Sequence, residues 1–97
     1  MNSEDYRDFC LNLPGVTEGF PFDESTLVFK VMNKMFALTD VDSFASFNAK
    51  CEPENCIELR ERYSGISPGY HMNENHWNTV STDGSVPKKV MFSLIRD

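Results

Sequence analysis

Residues 66–80 read I-S-P-G-Y-H-M-N-E-N-H-W-N-T-V and gather the side chains best suited to chemistry. Both histidines of the chain, His71 and His76, lie here with its only tryptophan, Trp77, and with Tyr70, Asn73, Asn75 and Asn78. Histidine titrates near neutral pH, so the pair can serve as acid and base, bind a polar ligand, or ligate a metal. Zinc needs three or four ligands, and Glu74 between the histidines is the third donor on offer. The same imidazoles equally suit hydrogen bonds to backbone that fix a loop. Trp77 reads as a core anchor or as a platform on which a base stacks. The asparagines read as turn-formers through side chain to backbone bonds, or as donors to a ligand. No Gly-rich phosphate loop, no G-x-S-x-G and no catalytic nucleophile arrangement is visible, so no catalytic residue, cofactor or metal site is assigned.

Three lysines, Lys30, Lys34 and Lys50, form the one basic section of an acidic chain. Residues 1–29 hold six acids against one base, and the net charge is -6. Nucleic-acid affinity rests largely on neutralising phosphates with Lys and Arg. Tight, non-specific duplex binding is therefore not expected, and any binding should be weak and salt-sensitive. Acidity also argues against anionic membrane surfaces. No apolar run approaches the ~20 residues that span a bilayer, and the polar N-terminus is unlike a signal peptide, so the expected compartment is the cytoplasm. Cys10, Cys51 and Cys56 are an odd number in no recognisable framework, and reduced thiols are expected there. Cys51, just before a helix, is the one thiol that a helix dipole would activate.

Ninety-seven residues make one domain with one core. A first helix is expected over 3–13, capped by Ser3 and stopped by Pro14-Gly15, with Tyr6, Phe9, Cys10 and Leu13 as its apolar stripe. Strands follow at 16–22, 26–32, 35–39 and 44–50, with a hairpin turn at Asn33-Lys34. Pro21-Phe22 is expected to break the sheet edge and bury its ring. A second helix over 53–63 buries Cys56, Leu59 and Tyr63, with Ile57 beside them. Residues 66–82 give one or two strands, and a last helix starts near Pro87, carrying Val90, Met91, Leu94 and Ile95. The expected fold class is α+β, an antiparallel sheet with helices packed on one face.

L-P-G-V-T-E at 13–18, P-F at 21–22, V-F-K-V at 28–31, K-M-F-A-L at 34–38, P-G-Y-H-M-N at 68–73, H-W-N-T-V at 76–80 and D-G-S-V-P at 83–87 fall in order along the chain. As a set they resemble the YjbR/MmcQ family of small bacterial proteins. The resemblance implies a twisted antiparallel sheet like that of the bacterial frataxin CyaY. It also implies a DNA-binding or "double-wing" role, by family label alone. Family members usually continue into a Ser-Tyr-containing tail, whereas this chain stops at Ile95-Arg96-Asp97. The frataxin likeness draws attention to Glu4, Asp5, Asp8, Asp23 and Glu24, though carboxylates on a first helix also suit its dipole. The expectation is a binding module with Tyr70, His71, His76, Trp77 and Lys34 at its ligand surface and Lys30, Lys34 and Lys50 as nucleic-acid contacts. The alternative is a protein-interaction module using an exposed patch of Phe36, Tyr70 and Trp77. A third reading is an enzyme using the two histidines.

Overall fold

The structure, a computed structural model, describes residues 2–69 and 72–96, the last by its backbone. Tyr70 and His71 lie outside the described residues. The elements run α1 (Ser3–Leu11), β1 (Val16–Gly19), β2 (Thr26–Val31), β3 (Lys34–Asp40), β4 (Ser46–Lys50), α2 (Pro53–Arg62), β5 (Ile66–Pro68), β6 (Trp77–Ser81) and α3 (Lys88–Arg96). The six strands form one antiparallel sheet in the order β1-β2-β3-β4-β6-β5. The chain is thus α+β, as expected.

Strand alternation divides the sheet into two faces. Leu27, Phe29, Ala37, Phe47, Ala49, Ile66 and Val80 face the helices and join Tyr6 and Cys10 of α1 and Met91 and Ile95 of α3 in the main core. Tyr6 is its centre, with ring centroids 4.9 to 5.5 Å from Phe47, Phe44 and Phe29. Phe9 stacks on Phe92 at 4.3 Å and joins α1 to α3. Aromatic pairs of this kind add to plain area burial. On the opposite face Val28, Leu38 and Trp77 make a smaller cluster, covered by Met35 and Met72.

Several expectations shift. Asn2, not Ser3, caps α1: its Oδ1 accepts the Asp5 N–H at 2.8 Å. The hairpin turn is Met32-Asn33, with φ of 52° and 66°, so Lys34 joins β3 opposite Val31. Two successive left-handed residues are the turn whose twist matches the flanking strands. Strand β1 ends at Gly19, and Phe22 is 65% exposed, so Pro21-Phe22 breaks the strand without burying the ring. Ile57 is 55% exposed and faces away from the α2 stripe. Cys51 and Cys56, expected as free thiols, form a disulfide with Cα atoms 5.8 Å apart. The pairing links the end of β4 to the first turns of α2, a short separation that spacing for a metal site did not suggest. Cys10 alone is free. Burial in the core pushes its thiol up to about 12, which leaves it inert.

Candidate functional site

The segment holding the chemistry begins in β5 and ends in β6, and one arginine of α2 holds it. Arg60 Nε donates to Asn78 Oδ1 at 2.6 Å, and its Nη2 donates to the carbonyls of Trp77, at 3.3 Å, and Glu74. Asn78 is buried, and its Nδ2 donates to the Cys56 carbonyl at 3.2 Å. Asn78 therefore ties β6 to α2 rather than forming a turn or meeting a ligand. Asn73 does form a turn: its Oδ1 accepts the Asn75 N–H at 3.0 Å, and its carbonyl accepts the His76 N–H at 3.0 Å. Gly69 closes the segment by donating to the Trp77 carbonyl at 3.0 Å. Arg60 was missed by sequence reasoning because it sits among the charges of an exposed-looking helix. Only its partner, an asparagine between a tryptophan and a β-branched threonine, marked the site.

The candidate residues disperse. Trp77 is buried at 6% exposure against Val28 and Leu38, so it anchors the helix-free face and offers no stacking platform. Phe36 lies on the helix side, packed against the main core. The patch of Phe36 and Trp77 is therefore split by the thickness of the sheet. His76 is exposed, and its backbone carbonyl accepts the Cys51 N–H at 2.9 Å. Lys30 pairs with Met35, which places it on the helix-free face, whereas Lys50, the last residue of β4, lines a groove on the helix side. Lys34 pairs with Val31 and so points to the other side of the hairpin. Among the described residues no three of His, Cys, Asp and Glu lie close enough to hold a metal. Asp23, one of the acids noted above, is engaged locally: it accepts from the N–H groups of Thr26, at 2.6 Å, and Ser25, at 2.9 Å, which hold its carboxyl below the ordinary range. Among the described residues no helix is long and apolar enough to cross a membrane.

A groove of about 1120 Å³ lies on the helix side, open between α2 and α3. Its floor is Val16, Val31 and Phe36 from the sheet, with Leu13 at one end. Leu59 and Tyr63 make the α2 wall, and Val90 and Leu94 the α3 wall. His76 and the Cys51 end of the disulfide lie on its rim. Charged rim residues are Lys50, Arg62 and Lys89 against Glu52 and Glu58. Arg62 is paired with Glu58 at 3.3 Å, which leaves two lysines facing one glutamate. On a chain of net charge -6, this rim is locally basic. A smaller concavity, about 360 Å³, lies on the helix-free face beside Phe20, Pro21, Val28 and Lys30.

Comparison with known proteins places this architecture. The chain is 29% identical over 96 residues to the uncharacterised protein YjbR of Escherichia coli K12, covering 98% of this chain and 81% of that protein. It is 32% identical over 95 residues to the uncharacterised protein YbdF of Escherichia coli O157:H7, covering 97% and 78%. A crystal structure of a Deinococcus radiodurans protein with domain DUF419 superposes with a TM-score of 0.90 at 44% identity, over 98% of this chain and 73% of that one. A Pseudomonas syringae protein superposes with a TM-score of 0.83 at 28% identity, over 100% and 95%. The YjbR family model matches residues 11–97, and the chain belongs to the YjbR family.

Proposed function

We propose that this protein is a binding module whose ligand surface is the groove between α2 and α3, and that it takes an apolar, acidic segment of a partner protein. The observation that carries this reading is the groove itself: apolar side chains from α2, α3 and three strands line one open channel with a basic rim. Amphipathic helices lay an apolar face into grooves of this kind, and a basic rim favours acids on the flanks of that face. The test is a pair of synthetic amphipathic peptides with the same apolar face and either glutamate or lysine flanks, titrated while amide shifts are followed by NMR. The acidic peptide should shift Leu59, Tyr63, Val90 and Leu94, and Leu94→Asp should abolish the shifts while the fold persists. Equal shifts from both peptides, or none, would reject the reading.

The family label of nucleic-acid binding has one supporting observation. Lys30 lies on the helix-free face with Asn48, Thr17 and Ser67, by strand register. A single strand laid there would meet one cation but not the ring of Trp77. Affinity would be weak and fall steeply with salt. Lys30→Glu should remove any low-salt binding of a labelled oligonucleotide, whereas Lys34→Glu, on the other side of the hairpin, should change it less.

A further inference from the structure

We infer that the Cys51–Cys56 bridge is a reversible thiol-exchange site, with Cys51 the sulfur attacked by a small anionic thiol of the glutathione type. Four observations support it. The bridge is asymmetric: Cys56 is fully buried, whereas Cys51 is partly exposed on the rim of the groove. An incoming thiolate therefore reaches one sulfur only. The backbone of both bridged cysteines is held, because Cys51 N–H donates to the His76 carbonyl and the Cys56 carbonyl accepts from Asn78 Nδ2. The leaving sulfur sits in the first turns of α2, whose N-terminal end favours negative charge. Lys50 and Lys89 lie on the same rim, opposed by Glu52, and suit a reagent that carries carboxylates.

The chemistry balances without a further partner. A thiolate attacks Cys51 Sγ, a mixed disulfide forms there, the Cys51–Cys56 bond breaks, and the electron pair leaves on Cys56 Sγ, which takes a proton. A second thiol attacks the mixed disulfide, releasing the small disulfide and leaving Cys51 as a thiol. The protein is reduced by two electrons and two small thiols are oxidised. The reverse sequence, with a small disulfide as oxidant, restores the bridge. The bridge closes a loop with a sequence separation of only 5, so it constrains the unfolded chain less than a long-range bridge does. Opening it is therefore compatible with a folded protein. This inference does not depend on what occupies the groove.

The test uses the full chain with oxidised glutathione, an anionic disulfide, and cystamine, a cationic one. Cys56→Ala should form a single mixed disulfide, mapped to Cys51, and should form it about tenfold faster with oxidised glutathione than with cystamine. Lys50→Glu added to that variant should erase the preference. In the wild-type protein, reduced glutathione should open the bridge while the circular dichroism spectrum is unchanged and Cys10 stays unmodified. That second measurement decides the matter even if Cys56→Ala does not fold. Opening of the bridge only with global unfolding, modification of Cys56 or Cys10 in the native protein, or faster reaction with cystamine would overturn it.

Discussion

Arg60 of α2 and Asn78 of β6 form the bond that holds the functional-looking segment to the body of the domain, Nε to Oδ1 at 2.6 Å. Asn78 passes the connection on to the Cys56 carbonyl, and Arg60 passes it to the carbonyls of Glu74 and Trp77. A partly buried guanidinium thus serves three acceptors, and a buried amide uses both its ends. Removing one partner leaves the other without a bond in a place where water replaces it poorly. Arg60→Met, which keeps the apolar stem, should cost about 2 kcal/mol in denaturant unfolding. The same variant should make residues 72–76 more open to proteolysis before the rest of the chain. A loss equal to that of an exposed arginine, such as Arg62→Met, would show that the connection carries no weight.

Tyr6 offers the opposite case. Its hydroxyl is buried and has no hydrogen-bond partner among the described residues, while its ring packs on Phe29, Phe44 and Phe47. Burial, with the nearby Cys10, pushes the phenol well above its ordinary value, so it stays neutral. An unpaired buried hydroxyl costs roughly 1 to 3 kcal/mol. Tyr6→Phe keeps the ring contacts and removes that cost, so it should raise stability by about 1 kcal/mol. Thermal unfolding of the two proteins settles it; a lower melting temperature for the phenylalanine variant would mean that the hydroxyl is satisfied in solution.

Arg7 and Glu18 join α1 to β1 by two bonds, Nε to Oε1 at 2.8 Å and Nη2 to Oε2 at 2.7 Å. The guanidinium holds the Glu18 carboxyl below its ordinary value of 4.5. A carboxylate depressed in the folded state contributes its full stability above the unfolded value and loses it as pH falls through the folded value. Stability should therefore decline between about pH 5 and pH 3 more steeply in the wild type than in Glu18→Gln. Both side chains are partly exposed, so salt should shrink the difference. Parallel pH profiles of the melting temperature for the two proteins would rule the contribution out.

The elements were legible where a single face decides them. Tyr6 and Cys10 of α1, and Met91 and Ile95 of α3, announce their burial by helical spacing, and the structure buries each at 3% exposure or less. Leu27 and Phe29 announce theirs by alternation. Val28 is the instructive failure of that rule: it sits between them on the other face and is equally buried, because Trp77 and Met72 fold over the helix-free side. Alternation reports which side a residue takes, not whether that side is covered. The site was less legible for the same reason. The lysines at 30, 34 and 50 look like one group in sequence, but the structure assigns them to two faces. Groove and Arg60 depend on α2 meeting distant strands, which no local pattern encodes.

Gly69 explains part of the family's P-G-Y-H-M-N signature in physical terms. A Cβ at this position would lie 2.7 Å from Trp77 Cβ and 3.0 Å from the Trp77 carbonyl oxygen, and that carbonyl accepts the Gly69 N–H. These neighbours, with Met72 Cβ at 3.2 Å, are a backbone oxygen and first side-chain carbons, so none can rotate away. Relief would have to come from moving β5 against β6, which would strain the Trp77 contacts with Val28 and Leu38 on the far face. Overpacking of this kind costs about 1 to 3 kcal/mol. Gly69→Ala should lose that much in denaturant unfolding, and the indole of Trp77 should become more accessible to acrylamide quenching in the folded protein. Gly19→Ala is the control, since a Cβ there meets nothing within 4 Å. If both variants unfold at the same denaturant concentration, close approach to Trp77 is not what requires glycine at 69.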